Sequence, residues 1–149
     1  MTLEVRPIAD HEVEAAVTIL IDGSLSPQDE RPTMLSLYHD AIDRSRREGG
    51  EVLVAVEGQD VIGVCQLLVF THLQHAGSPC AELESVHVRA DRRSRGVGAA
   101  MLAEAERRAT DRGCYRIQLT SRIVRTDAHR FYLANGYEAS HLGFKKSLG

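Results

Sequence analysis

At 149 residues the chain is long enough to bury one substantial core and too short for two ordinary ones, which predicts a single domain over 1–149. A hydrophobic fraction of 43%, a charged fraction of 26% and a net charge of −3 exclude disorder and give no attraction to a polyanion, so no nucleic-acid partner is expected. Three widely spaced cysteines without a CxxC pair, an N-terminus charged within its first six residues and apolar runs far short of a membrane span point to reduced thiols, no zinc, no membrane partner and a cytoplasmic protein.

Residues 3–8 read as a first strand, and Asp10 is placed to cap a helix with Val13, Ala16, Val17 and Leu20 on one face. A loop rich in turn formers leads to a second helix over about 33–47, ended by Gly49 and Gly50. The next stretch alternates as two strands joined at Gly58, Gln59 and Asp60, a hairpin signal that makes the middle of the sheet antiparallel. A loop carrying His72 and His75 precedes a strand over 81–88, and a helix from about Gly98 to Arg112 stops at Gly113. A further strand is predicted over 115–121, a short helix ends at Gly136, and residues 137–148 read as one last strand or a pair.

The segment from Val86 to Met101 carries the strongest chemical signal. A strand ends, Arg92, Arg93 and Arg95 cluster, Gly96 and Gly98 follow two apart, and an amphipathic helix begins. Glycines there let the backbone approach a phosphate, and the amides of a helix start point at it with the positive end of the helix dipole behind them. The spacing is neither GxGxxG nor a P-loop, so a phosphate ligand other than a Rossmann dinucleotide is expected.

Arg93, Gly96 and Gly98 resemble the Arg/Gln-x-x-Gly-x-Gly/Ala pyrophosphate loop of the GNAT N-acetyltransferases. Downstream, Ala128, Phe131, Tyr132, Gly136 and Tyr137 resemble that family's A-x-x-F-Y-x-x-x-G-F/Y segment. The resemblance spans essentially the whole chain and implies a single-domain α/β (α+β) fold with a mixed, mostly antiparallel central sheet flanked by helices. It also implies acetyl-CoA as cosubstrate, held by residues Arg93, Ser94, Arg95, Gly96, Val97, Gly98 and Ala99. Backbone groups of Val86, His87 and Val88 would position the pantetheine and thioester. Many members place Asn where this chain has Arg125, so a contact from that Asn is not carried over. Within the family the likeness is greatest to aminoalkylphosphonate N-acetyltransferases, through 72–75, 127–133 and 136–141, which points to a small primary amine, an aminoalkylphosphonate or similar anionic amine, as acceptor. Transfer to protein N-termini or lysines, and a noncatalytic acetyl-CoA-binding module, are the alternatives. A homodimer is also implied.

Acetyl transfer to an amine needs a proton acceptor for the ammonium and a proton for the departing thiolate. Glu82 and Glu84, two apart on one strand and hence on one face, are the candidate bases, and the resemblance favours Glu82. Tyr132 holds the family's general-acid position and also contacts the cofactor. His72 and His75 lack a third ligand and are read as hydrogen-bonding surface residues, so no metal is expected. His87, His129 and His141 receive no catalytic role.

Overall fold

The structure, a computed structural model, describes residues 2–149. The chain forms two compact units, one ending at Gln118 and the other spanning Leu119–Gly149. The first unit holds a five-stranded sheet in the order β1 (Leu3–Pro7), β2 (Glu51–Glu57), β3 (Asp60–Thr71), β4 (Pro79–Val88), β5 (Ile117–Gln118). The first four strands are antiparallel, and β5 lies parallel to β4. Gly58 at the β2–β3 turn takes a φ of +65°, the conformation the predicted hairpin requires of it.

Helices α1 (Val13–Gly23) and α2 (Leu35–Arg47) cover one face of this sheet. Val13, Ala16, Val17 and Ile19 pack there with Val54, Val56 and Val64, while Leu35, Tyr38 and Ile42 of α2 close over the cluster. Period-two alternation sends Ala55 to the opposite face, against α3 (Val97–Asp111). Gly63 permits that packing: a Cβ on it would stand 2.9 Å from Met101 Sδ and 3.2 Å from Ala55 Cβ. Met101, Leu102 and Ala105 are buried at helical spacing, as a core-facing stripe requires.

Asp10 does not cap the first helix. The chain tightens into a 3-10 turn over Asp10–Glu12 before α1, which leaves Asp10 exposed and turns Glu12 inward. Glu12 is 3% exposed. Its carboxylate accepts the Ala9 N–H at 2.8 Å and two bonds from the Arg6 guanidinium at 2.8 Å each. The bond from Arg6 holds the Glu12 carboxyl below the usual carboxylate range, against the opposing effect of burial. A depressed folded-state pKa adds stability above the unfolded value, about 4.3, and loses it as pH falls through the folded value. Glu12→Gln is expected to cost about 2–4 kcal/mol at neutral pH by leaving Arg6 to the longer ionic contact with Glu4, at 3.8 Å. It should also flatten the loss of stability on acidification below about pH 4. Denaturant melts of both proteins across that range check this, and parallel curves would remove the ion pair from the account.

Two strand expectations are corrected. The strand over 115–121 is reduced to Ile117–Gln118, because regular pairing to β4 is made only at Ala81 and Glu82. The closing strand over 137–148 is absent among the described residues. An alternating sequence becomes a strand only when a ladder partner takes up its amides and carbonyls, and here Leu142, Phe144 and Leu148 all stand exposed. The second unit has α4 (Thr126–Ala134) as its one regular element among the described residues. No helix among the described residues is long and apolar enough to cross a membrane.

Candidate functional site

The turn after β4 is held rigid by an ionic clamp. Arg89 donates to Asp91 at 2.6 Å and to Asp60 at 2.8 Å, and its amide donates to the Ile62 carbonyl at 2.8 Å. The Arg89 guanidinium keeps both Asp60 and Asp91 below the usual carboxylate range. Arg92, which the sequence offered as charge for a phosphate, instead pairs with Asp91 at 2.9 Å and Glu57 at 3.4 Å. It braces the turn.

Beyond this clamp the backbone shapes the start of α3. Ser94 (φ +62°) and Gly96 (φ +83°) both take the left-handed conformation, and buried Val97 pins the first turn to the core. The helical ladder begins with the Ala100 N–H on the Gly96 carbonyl at 3.0 Å, so the amides of Val97, Gly98 and Ala99 emerge at the helix end without ladder acceptors. No acidic residue occupies that first turn. Arg93 lies exposed with Nε donating to the Val88 carbonyl at 3.2 Å, and Arg95 is exposed beside it. Emergent amides at the positive end of a helix dipole suit an anion, and two exposed arginines stand nearby in sequence.

Strand β4 carries the other candidates. Glu82 stands opposite Leu68 and Glu84 opposite Gln66, which puts both glutamates on the sheet face that α1 and α2 cover. Glu82 accepts the Gln118 side-chain amide at 2.9 Å from the neighbouring strand. Between Glu84 and Val86 the left-handed Ser85 accompanies a register shift opposite Val64 and Gln66. Regular pairing to β5 involves only Ala81 and Glu82, so Val86, His87 and Val88 lie past the end of that ladder. The His87 ring presses on the end of α1, where a Cβ at Gly23 would come within 2.2 Å of its Nδ1.

The remaining candidates lie on other elements of the two units. His72 and His75 surround Tyr115: His72 Nδ1 lies 2.5 Å from the Tyr115 hydroxyl, and the His75 ring stacks on the Tyr115 ring at 4.0 Å. Among the described residues no group of three or more His, Cys, Asp or Glu is arranged to hold a metal ion. In the second unit Tyr132 is half-buried on α4, in edge contact with Phe131 at 5.2 Å and Tyr137 at 5.9 Å. His129 meets the Arg122 carbonyl at 2.8 Å, and the amide of Arg125 donates to that same carbonyl at 3.0 Å. His141 is exposed and bonds Ser140 at 2.7 Å.

A strand that breaks its pleat, a left-handed turn and a helix start rich in emergent amides coincide with a match of residues 16–137 to the acetyltransferase (GNAT) family. The chain belongs to this family. An aminoalkylphosphonate N-acetyltransferase of Salmonella typhimurium is 37% identical over 95 residues, a stretch covering 64% of this chain and 61% of that protein. A crystal structure described as a transcriptional regulator from Bacillus halodurans superposes with a TM-score of 0.90 at 31% identity, covering 99% of this chain and all of that one. A Trypanosoma brucei acetyltransferase shares the GNAT fold at a TM-score of 0.82 and 21% identity, over 99% of this chain and 100% of its own.

Several residues at this GNAT site escaped sequence reasoning. Ser85 gives no signal, since a left-handed serine within a strand is set by its neighbours. Gln66 and Gln118 are ordinary strand residues until the register brings them to Glu84 and Glu82. Gly23 reads as part of a loop rich in turn formers, whereas its lack of a side chain makes room for His87.

Proposed function

We propose that the protein is an acetyl-CoA-dependent N-acetyltransferase acting on the primary amine of a small molecule by direct attack on the thioester. The observation that supports this most is the α3 start, where Ser94 and Gly96 turn the chain so that the amides of Val97, Gly98 and Ala99 leave the helix without ladder acceptors in a chain of this family. These amides, with Arg93 and Arg95, fit the pyrophosphate of acetyl-CoA. Val86, His87 and Val88, past the end of the β5 ladder, offer backbone groups to its pantetheine arm. Acetyl-CoA supplies the acyl group and a thiolate leaving group, and the chain's residues handle the protons.

An alkylamine with a pKa of about 10.4 arrives protonated at neutral pH, so a carboxylate must accept a proton before the lone pair can attack. Glu82 is the base favoured by the resemblance, with Glu84 the second carboxylate on the same face. The Tyr132 hydroxyl gives its proton to the departing sulfur. Aminoalkylphosphonates are the first acceptors to try, on the strength of the Salmonella relative. The homodimer implied by the resemblance, acting in the cytoplasm, belongs to the same reading, and light scattering at several concentrations tests the dimer.

A second reading is a noncatalytic module that binds acetyl-CoA, prompted by the description of the Bacillus halodurans structure as a transcriptional regulator. Kinetics of the two glutamate variants test the leading one. Glu82→Gln keeps shape and hydrogen bonding but not proton acceptance, so kcat/KM falls about tenfold to a thousandfold near neutral pH and recovers in part as rising pH supplies free amine. Glu84→Gln loses less. Equal and pH-independent losses in both variants would assign the pair to binding, and a defect confined to Glu84→Gln would exchange the roles.

A further inference from the structure

Between α1, α2 and the sheet lies a cavity of about 130 Å³. Val17 and Leu20 of α1, Tyr38 and Ile42 of α2, and Val52 and Val64 of the sheet form its apolar walls. No charged side chain lines it among the described residues. The Tyr38 hydroxyl is engaged elsewhere, accepting the Arg31 amide at 2.8 Å and donating to Glu30 at 3.0 Å, so Tyr38 offers the cavity its ring. Cys65 also lines the space, and burial pushes its thiol up to about 12, which keeps it neutral and unreactive.

One end of the cavity is polar. Gln66 and Ser85 line it there, and Ser85 is exposed. Glu84 stands directly across the ladder from Gln66, on the same sheet face. The strained backbone of Ser85 breaks the pleat between this carboxylate and the residues past the β5 ladder. An uncharged apolar pocket with a carboxylate beside its polar end is complementary to one kind of molecule, an ammonium carrying a hydrocarbon tail. A phosphonate in the same space would give up its hydration with no cation to replace it.

Resting on the acetyl-transfer reading, we propose that this cavity receives the carbon tail of the acceptor, with the ammonium held at Glu84. The preferred acceptor is then a primary amine bearing a neutral aliphatic or monocyclic group of about five or six carbons, since a space of about 150 Å³ accommodates benzene. Ala41, at the exposed rim of the cavity, and Val17, in its wall, control the length admitted.

The test is acetyl transfer to straight-chain amines from ethylamine to octylamine, with 2-aminoethylphosphonate alongside, in the unaltered protein, Ala41→Phe and Val17→Ala. The expected kcat/KM rises about fourfold per methylene to a maximum near pentylamine and then falls, with the phosphonate below that maximum. Ala41→Phe lowers the ratio of pentylamine to ethylamine turnover about tenfold or more, and Val17→Ala moves the maximum to a longer chain. If Ala41→Phe does not fold, as read from its melt, Val17→Ala carries the comparison. Turnover indifferent to chain length, a maximum that neither variant moves, or a preference for the phosphonate overturns the cavity assignment and leaves acetyl transfer standing. Calorimetry with pentylamine separates the opposite case: saturable binding weakened in the Ala41 variant, without acetylation of any amine, keeps the cavity and rejects the transfer reading.

Discussion

Gly98→Val is expected to weaken binding of CoA about a hundredfold while leaving the melting transition nearly in place. Gly98 is in the first turn of α3, between two of the amides that emerge without ladder acceptors, and a branched side chain there keeps a phosphate from reaching them. Loss of one or two charge-assisted hydrogen bonds at about 1.5–3 kcal/mol each gives that factor. Valine costs the helix no more than glycine does, so the fold should tolerate the change. Gly96 makes the contrast. A Cβ at Gly96 meets no heavy atom within 4 Å, yet its φ of +83° disfavours any other residue. Gly96→Ala should therefore lower stability by about 1–2 kcal/mol, with the smaller effect on affinity. Isothermal calorimetry and thermal melts on both variants separate steric exclusion from backbone strain, and unchanged affinity in Gly98→Val would remove the helix start from the cofactor site.

Tyr132→Phe is expected to lower kcat about tenfold to a few thousandfold, with a much smaller effect on acetyl-CoA affinity. The substitution deletes a proton donor and keeps the ring, so the edge contacts to Phe131 and Tyr137 survive and α4 retains its packing. Steady-state kinetics with chemistry limiting, beside a binding isotherm, make the comparison. An unaltered kcat would return Tyr132 to a packing role.

The parts of this molecule legible in its sequence are those that local chemistry dictates. Gly58 and Gln59 specify the β2–β3 hairpin because a two-residue turn needs a left-handed backbone, and Gly96 marks the α3 start for a related reason. The apolar spacing of Val13, Ala16 and Val17 names the buried face of α1 directly. What escaped depends on partners distant in the chain. Asp10 looked like the cap because it precedes the apolar run, but Arg6 on β1 stabilises an inward carboxylate at Glu12, and no local rule sees that pair. The truncation of β5 follows from a ladder that β4 offers only at Ala81 and Glu82, and the left-handed Ser85 beyond it is not encoded in a serine. Residues 137–148 alternate as a strand would, and alternation does not supply a ladder partner. At the site, Arg92, Arg93 and Arg95 read alike in the sequence, and only the fold separates the brace to Glu57 from the pair beside the helix start.

Catalysis is tested most directly by mass spectrometry of a mixture of the protein, acetyl-CoA and a panel of primary amines, with free thiol followed in parallel. Thiol is expected only when an amine is present, in step with one N-acetylated product per thioester consumed, and Tyr132→Phe should slow both together. Binding of acetyl-CoA with no acetylated product from any small amine in the panel, or thiol release indifferent to added amine, would contradict it.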